Sequence, residues 1–549
     1  MIYEGPNLDV PTVDVLTFLF GNNSGWNRST DDPNGRASDD TPLHAEARAP
    51  EKYITKAQLR NLTGCFAHFL RAEYAIGADG PSKDVVVPIS TGQSALAALL
   101  YGVIAAEGIY APVSHSSTVD DAVRQIKDGP GKVIVCSSDA KDLAIAAAAR
   151  VGLPQRNVLV LTSYPEITLE SVNGEVACDF KKQLQWRKIT DPKELEQSKI
   201  CIYYSSGTTG LPKVAEGSML SSAGRILLEK AKVQFRTLAH LPTAHAAALV
   251  CYFVNPIYEG GVTYWMPTFN FDDFLRYFGE LKITSIFSVP PVFLGIAKHP
   301  AVKDQFSNLV IVCSGAAPMS KEIQDAAKSR MKLEGLFAQT WGMTETSASV
   351  TWSTPTKTNT AGSVGRLLPN TKLRLVDEEE KDVPEGQPGE ALVKAPTVVQ
   401  GYHRNPEANK ATFTADGWLR TGDILCMRGD ELFVVDRKKE MIKYKAFQVA
   451  PAELEGIIAS HSAVLDAAVI GVPQNYTEVP RAYVVLAPPA KGRISEEDIM
   501  DFVKSKVMDY KRLRGGVRFV DAVPRSASGK ILRKELRERR KLKDQQSKL

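Results

Sequence analysis

Residues 204–213 read Tyr204-Ser205-Ser206-Gly207-Thr208-Thr209-Gly210-Leu211-Pro212-Lys213, directly after the apolar run CIYY at 201–204. A strand that opens into a turn this rich in hydroxyls and glycine is built to surround an anion. The two glycines let the backbone come close, four hydroxyls and several free N–H groups supply donors, and Lys213 adds charge for terminal phosphates. The string is not a Walker loop, because no glycine precedes the lysine and no Ser or Thr follows it. A nucleotide is therefore expected, but not the P-loop fold.

Outward from this turn the chain alternates short β-rich runs with Ala-rich helical stretches: VVVPI at 85–89, KVIVC at 132–136, NVLVL at 157–161 and CIYYS at 201–205. That alternation predicts parallel sheets wrapped by helices, an α/β architecture. A helix is expected after Thr55 and Gln58, which form a capping box, with Leu59, Leu62, Phe66, Phe69 and Leu70 on one face. The first 50 or so residues, rich in Asn, Asp, Pro and Gly, are expected to wrap the surface irregularly. From Gly389 the texture predicts a small β-rich region. After Asp436 the charged break RKKE interrupts the apolar pattern, and the remainder (LEGIIA, AAVIGV, AYVVLA, EEDIMDFVKSKV) reads as strand, helix, strand, helix. Two domains are expected, 1–435 and 436–549, the second a small α+β unit.

The composition sets bounds. The chain has 549 residues, too many for one ordinary core, with 44% apolar and 24% charged residues, a globular balance. A formal net charge of +4 gives no argument for nucleic acid as a partner. The seven cysteines are scattered, which argues against a disulfide framework or a zinc site and for buried core thiols. The N-terminus lacks the pattern of a secretory signal, and no membrane span is expected. The chain stops at Ser547-Lys548-Leu549, the tripeptide read by the peroxisomal import receptor, so a peroxisomal location is expected.

Six strings in order complete the pattern: SSGTTGLPK (205–213), SGAAP (314–318), TWGMTE (340–345), GWLRTGD (417–423), VDRKKEMIKYKAFQVAPAELE (435–455) and PRSASGKILRK (524–534). With them the sequence resembles the adenylate-forming superfamily of acyl-CoA synthetases, 4-coumarate–CoA ligases, firefly luciferase and peptide-synthetase adenylation domains, from about residue 50 to 535. The resemblance implies a ligase that uses ATP, Mg²⁺ and coenzyme A to convert a carboxylic acid to its acyl-adenylate and then to a thioester. By that resemblance Ser205 to Gly210 and Lys213 hold the pyrophosphate portion, and Thr209 and Glu345 bind Mg²⁺. Trp341 stacks on adenine. Gly315, Ala316 and Ala317 line the nucleobase pocket, with Gln339, Gly342 and Thr344 beside them. Asp423 and Arg437 engage the ribose. Lys530 reaches the carboxylate and the α-phosphate, and His245 flanks the carboxylate. Lys439 is the hinge, and Lys443, Lys445 and Ala446 border the pantetheine channel.

Two departures stand out. Val214 to Met219 replace the family's glycine and apolar run, and Ala446 replaces a glycine beside the thiol channel. Ala246, Ala247 and Ala248 are small where coumarate ligases are bulkier, and Thr340 replaces a glycine. An apolar monocarboxylic acid is the expected substrate, arylalkanoic or medium-to-long aliphatic. The rival readings are an adenylation enzyme that loads a carrier protein, a luciferase-like oxygenase, and a binding protein with a decayed site. The string HSSTVD at 115–120 is read as a helix cap over Ser117 to Asp120 rather than an acyltransfer motif.

Overall fold

The computed structural model describes residues 1–9, 12–21, 37–204, 209–210, 234–353, 360, 362–445, 447–474, 476–526 and 529–546, with backbone only at 209–210, 259 and 541–546. The β-branched runs near the start form the inner strands of a five-stranded sheet. Its order is Ile109–Tyr110, Val85–Ile89, Gly131–Cys136, Val158–Thr162 and Thr168–Ser171, parallel except for the last pair. All five side chains of Val85–Ile89 are buried, as a sheet covered on both faces requires. The helix Lys56–Tyr74 begins at the expected capping box: Gln58 N–H donates to Thr55 Oγ1 at 3.2 Å, and Thr55 N–H donates to Gln58 Oε1 at 2.8 Å. Its face carries Leu59, Phe66, Phe69 and Leu70 into the core, with Leu62 partly buried against it.

Two further sheets position the site. One runs Arg236–Ala239, Val262–Trp265, Pro42–Glu46 and Ala49–Thr55. The other is a parallel trio, Ser285–Ser288, Ile311–Ser314 and Leu336–Gln339. Side chains alternate across these strands. Ile286 and Val312 enter a core with Phe293 and Phe337, which leaves Ser285, Phe287, Ile311 and Cys313 on the opposite face.

A five-stranded antiparallel sheet joins Tyr3–Glu4, Lys372–Val376, Gly389–Lys394, Leu419–Arg428 and Glu431–Arg437. A short 3₁₀ turn, Lys438–Glu440, leads out of it. The hairpin Val464–Gln474 with Thr477–Leu486, joined by Val517–Phe519 and helices Pro451–Ala459 and Glu496–Lys504, then builds its own core.

Several expectations are corrected. The N-terminal stretch is not wholly irregular: it holds the helix Val15–Phe20, and Tyr3–Glu4 pairs with Leu373 and Lys372. The β-rich region starts before Gly389, at Lys372. LEGIIA lies in the helix Pro451–Ala459 and AAVIGV in the strand Val464–Gln474, the reverse of the predicted order, because short apolar runs carry no decisive period. The cap near His115 is Thr118, which accepts the Asp121 N–H at 3.2 Å, one residue later than expected. Six of the seven cysteines are buried, Cys251 being intermediate. Among the described residues no helix is long and apolar enough to cross a membrane.

Candidate active site

Strands Ser285–Ser288 and Ile311–Ser314 of the parallel trio, with the neighbouring strand Arg236–Ala239, form one wall of a cavity of about 100 Å³. Phe235 and Thr237, Ser285 and Phe287, and Ile311 and Cys313 contribute to this wall, as their alternation dictates. The facing wall is the irregular helix that starts at His245. It continues through Ala246–Ala248 and the π-helical segment Leu249–Val254, and presents Ala246, Ala247, Val250, Cys251 and Asn255. Ala316, Thr340, Gly342 and Thr344 also line the cavity, and so does Lys530 from the far C-terminal part of the chain. At Gly342 the backbone approach leaves no room for a side chain, since a Cβ there would lie 1.7 Å from the Ala348 carbonyl oxygen.

Lys530 is placed by a tight bend. Its N–H donates to Ser526 Oγ at 3.2 Å, and its carbonyl accepts from the Ser526 N–H at 2.8 Å. Arg525 pairs with Asp466 at 2.7 Å and donates to the Gly529 carbonyl at 2.7 Å, which braces the bend from behind. Gly529 takes φ +79°, a region open to glycine, and packs toward Val289 and Pro291. Burial, followed by the Arg437 charge, pulls the Lys530 ammonium below the ordinary lysine value, while Asp423 and Glu345 act in the opposite sense. His245 caps the short helix after it, its Nδ1 accepting the Ala247 N–H at 3.3 Å. Burial, then repulsion from Lys530, pushes this imidazole down to about 4, so it is neutral near pH 7.

Beside Lys530 stands a polar group drawn from distant strings. Asp423 and Arg437 are register partners on adjacent strands, and their side chains pair at 3.5 Å. The Trp341 indole N–H donates to the other Asp423 oxygen at 2.8 Å. Trp341 itself is 5% exposed, packed with Val350 and Val364, so it fixes Asp423 in addition to its expected place against a base. Glu345, also buried, accepts from the Tyr402 hydroxyl at 3.0 Å. Gln339 is engaged with protein: its amide donates to the Met319 carbonyl and to Gln324 Oε1, and its oxygen accepts the Met319 N–H. It shapes the turn that carries Gly315, Ala316 and Ala317 rather than presenting a free amide. A Cβ at Gly315 would meet the Phe287 ring at 2.9 Å.

Not every predicted residue gathers here. Lys443 and Lys445 are exposed on the hairpin Ile442–Tyr444 with Phe447–Val449 and do not line the cavity. Lys439 sits on the connecting turn, where its charge reaches Lys530. Thr209–Gly210 pair antiparallel with Tyr203–Tyr204. Ser205, Ser206, Gly207, Thr208, Lys213, the Val214 to Met219 departure, Ala446 and Ser547 to Leu549 lie outside the described residues. Sequence reasoning missed Tyr402, Asn255, Trp352 and Lys298. The Lys298 ammonium donates to the carbonyls of Ala459 at 2.7 Å and His461 at 3.3 Å, and also to that of Val464, tying its helix to the C-terminal part. No local pattern marks these four, whose places are set by residues far away in sequence.

The chain belongs to the AMP-binding enzyme family, the adenylate-forming superfamily: the family model matches residues 34–403, and the model of the AMP-binding enzyme C-terminal domain matches 453–530. A protein of Emericella nidulans named, by inference, an acyl-coenzyme A synthetase is 41% identical over 96% of both chains. A phenylacetyl-CoA ligase of Aspergillus niger is 33% identical over 98% of this chain and 99% of its own. Among solved structures, a benzoate CoA ligase from Burkholderia xenovorans shares the fold, with a TM-score of 0.78 at 22% identity over 95% of this chain and 99% of that one.

Proposed function

We propose that this chain is an AMP-forming acid–CoA ligase that activates an apolar monocarboxylic acid. The observation that carries the reading is the placement of Lys530 at a largely apolar cavity, with Asp423, Arg437 and Glu345 close enough to bias its charge. Relatives named as acyl-CoA and phenylacetyl-CoA ligases over nearly the whole chain support it.

A carboxylate is a poor electrophile, and activation requires that its oxygen attack the α-phosphorus of ATP and expel pyrophosphate. Charge builds on the phosphoryl oxygens, so the protein contributes mainly position and cations. The cavity takes the acyl group and leaves its carboxylate under Lys530. Asp423, fixed by Trp341 and Arg437, is a fitting acceptor for sugar hydroxyls. Among the described residues no three His, Cys, Asp or Glu side chains cluster as metal ligands. Glu345, with the hydroxyl of Thr209, would be a sparse protein ligand set for a Mg²⁺ held mainly by phosphates, whose charge would offset theirs. In the second half-reaction the thiol of coenzyme A attacks the acyl carbon and AMP leaves. That step needs Lys530 withdrawn, which the Lys438–Glu440 turn permits if Lys439 is the pivot, bringing Lys443 and Lys445 inward. The terminal Ser547-Lys548-Leu549 supports recognition by the peroxisomal import receptor and residence in the peroxisome.

The test is a screen of coenzyme A-dependent AMP release across aromatic and aliphatic acids of graded length. The reading expects release for a subset of acids, dependent on ATP, acid and thiol together. Release without acyl-CoA, or none with any acid, would reject it.

A further inference from the structure

The cavity that receives the acyl group is not uniformly apolar. Asn255 lines it, and its side-chain oxygen is buried with no hydrogen-bond partner; Trp352 lines it too, with its indole N–H equally unpaired. A buried polar atom without a partner costs free energy comparable to a lost hydrogen bond, so two on one cavity call for a ligand atom.

Their position follows from both walls. Asn255 is ten residues beyond His245 along the helical segment that includes the π-helical Leu249–Val254, a distance of at most about 15 Å. On the opposite wall Phe235, Ser285 and Ile311 stand at the starts of parallel strands, whereas Ala316 lies just past the end of Ile311–Ser314. The strand Ile311–Ser314 spans about 10 Å, and Ala316 lies two residues beyond it at φ +68°. His245, Ala316 and Lys530 therefore mark the end that takes the carboxylate, and Asn255 with Ser285 marks the remote end.

We propose that the acid this site prefers carries a hydroxyl group on the part of its acyl chain remote from the carboxylate, received by the Asn255 carboxamide. A hydroxyl suits either group, because it can donate to an amide oxygen or accept from an indole N–H. A span of about 10–15 Å corresponds to on the order of eight to ten chain atoms, or an aromatic ring on a short tether. A methyl-terminated acid of equal length would fill the volume and leave both protein groups unpaired. Sites built to bond a substrate hydroxyl discriminate strongly against the analogue that lacks it. This inference rests on the ligase reading and specifies its substrate.

The experiment compares pairs of acids of equal length, ω-hydroxyalkanoates with alkanoates and hydroxyphenylalkanoates with phenylalkanoates. The full chain is used, and kcat/KM for adenylation is read from pyrophosphate release with hydroxylamine as acyl acceptor. The best hydroxylated acid should exceed its deoxy partner by about tenfold or more. Asn255→Leu should collapse that ratio toward one or invert it. Trp352→Phe, which removes the indole N–H together with part of the ring, should lower the ratio in the same direction and guards against a folding failure of the first variant. Ratios at or below one for every wild-type pair, or a ratio unmoved by both variants, would overturn the proposal while leaving the ligase reading intact. Adenylation of no acid of either kind would overturn both.

Discussion

The Trp341 indole N–H and the Asp423 carboxylate meet at 2.8 Å across 82 residues of sequence, inside the core of the antiparallel sheet. Burial raises the Asp423 pKa, Arg437 and Trp341 hold it down, and the net direction is upward. A buried carboxylate that loses one of these partners forfeits about 1–3 kcal/mol. Trp341→Phe should therefore raise the KM for ATP by about tenfold or more while leaving the chain folded. An unchanged KM, measured at saturating acid, would show that Asp423 does not depend on this bond.

Three buried histidines make stability pH-dependent. Burial pushes His44 to about 3 and both His240 and His245 to about 4. His240 is held between the Leu238 carbonyl and Ser288 Oγ, each at 2.8 Å. The unfolded chain binds these protons near pH 6.5 and the native chain only well below, so stability falls as pH drops from about 6.5 toward 4. Each histidine contributes up to about 1.4 kcal/mol per pH unit in that window. Asp423, Asp436 and Glu455, raised by burial, act in the opposite sense near the acid end. Urea titrations at pH 7 and pH 5.5 check this, with a lower midpoint expected at pH 5.5.

Lys439 and Lys443 should separate the two half-reactions. Lys439→Glu or Lys443→Ala is expected to slow thioester formation about tenfold or more while sparing acid-dependent pyrophosphate exchange. Parallel assays of the two steps decide it, and equal loss in both would count against a pivot at the Lys438–Glu440 turn.

Removal of Ser547 to Leu549 should leave a fluorescently tagged protein in the cytosol, whereas the intact chain is expected to concentrate in peroxisomes. Unchanged punctate fluorescence after the deletion would end the import proposal.

The motif residues were legible through resemblance: the short strings that carry Asp423, Arg437 and Lys530 match those of the adenylate-forming superfamily, and singling them out needed no tertiary information. Their mutual placement was not legible. Tyr402 reaches Glu345 from 57 residues away, and Lys298 reaches backbone carbonyls more than 160 residues on. A side chain whose role is set by a distant partner leaves no local pattern. Pairing of Tyr3–Glu4 with Lys372–Leu373 was hidden for the same reason, since a two-residue strand has no period to read. The exchanged assignment of 454–459 and 467–472 came from apolar runs too short to distinguish helix from strand. Asn255 looked like any polar residue in an apolar helix until the facing strands enclosed it.

The account depends on the Lys530 ammonium reaching the reacting carboxylate and phosphate. Acid-dependent exchange of labelled pyrophosphate into ATP, compared between the wild-type chain and Lys530→Ala, tests this most directly. Loss of a preorganised cation at developing charge predicts a fall of about 10²–10³-fold. Exchange at near wild-type rate in the folded variant would contradict the account.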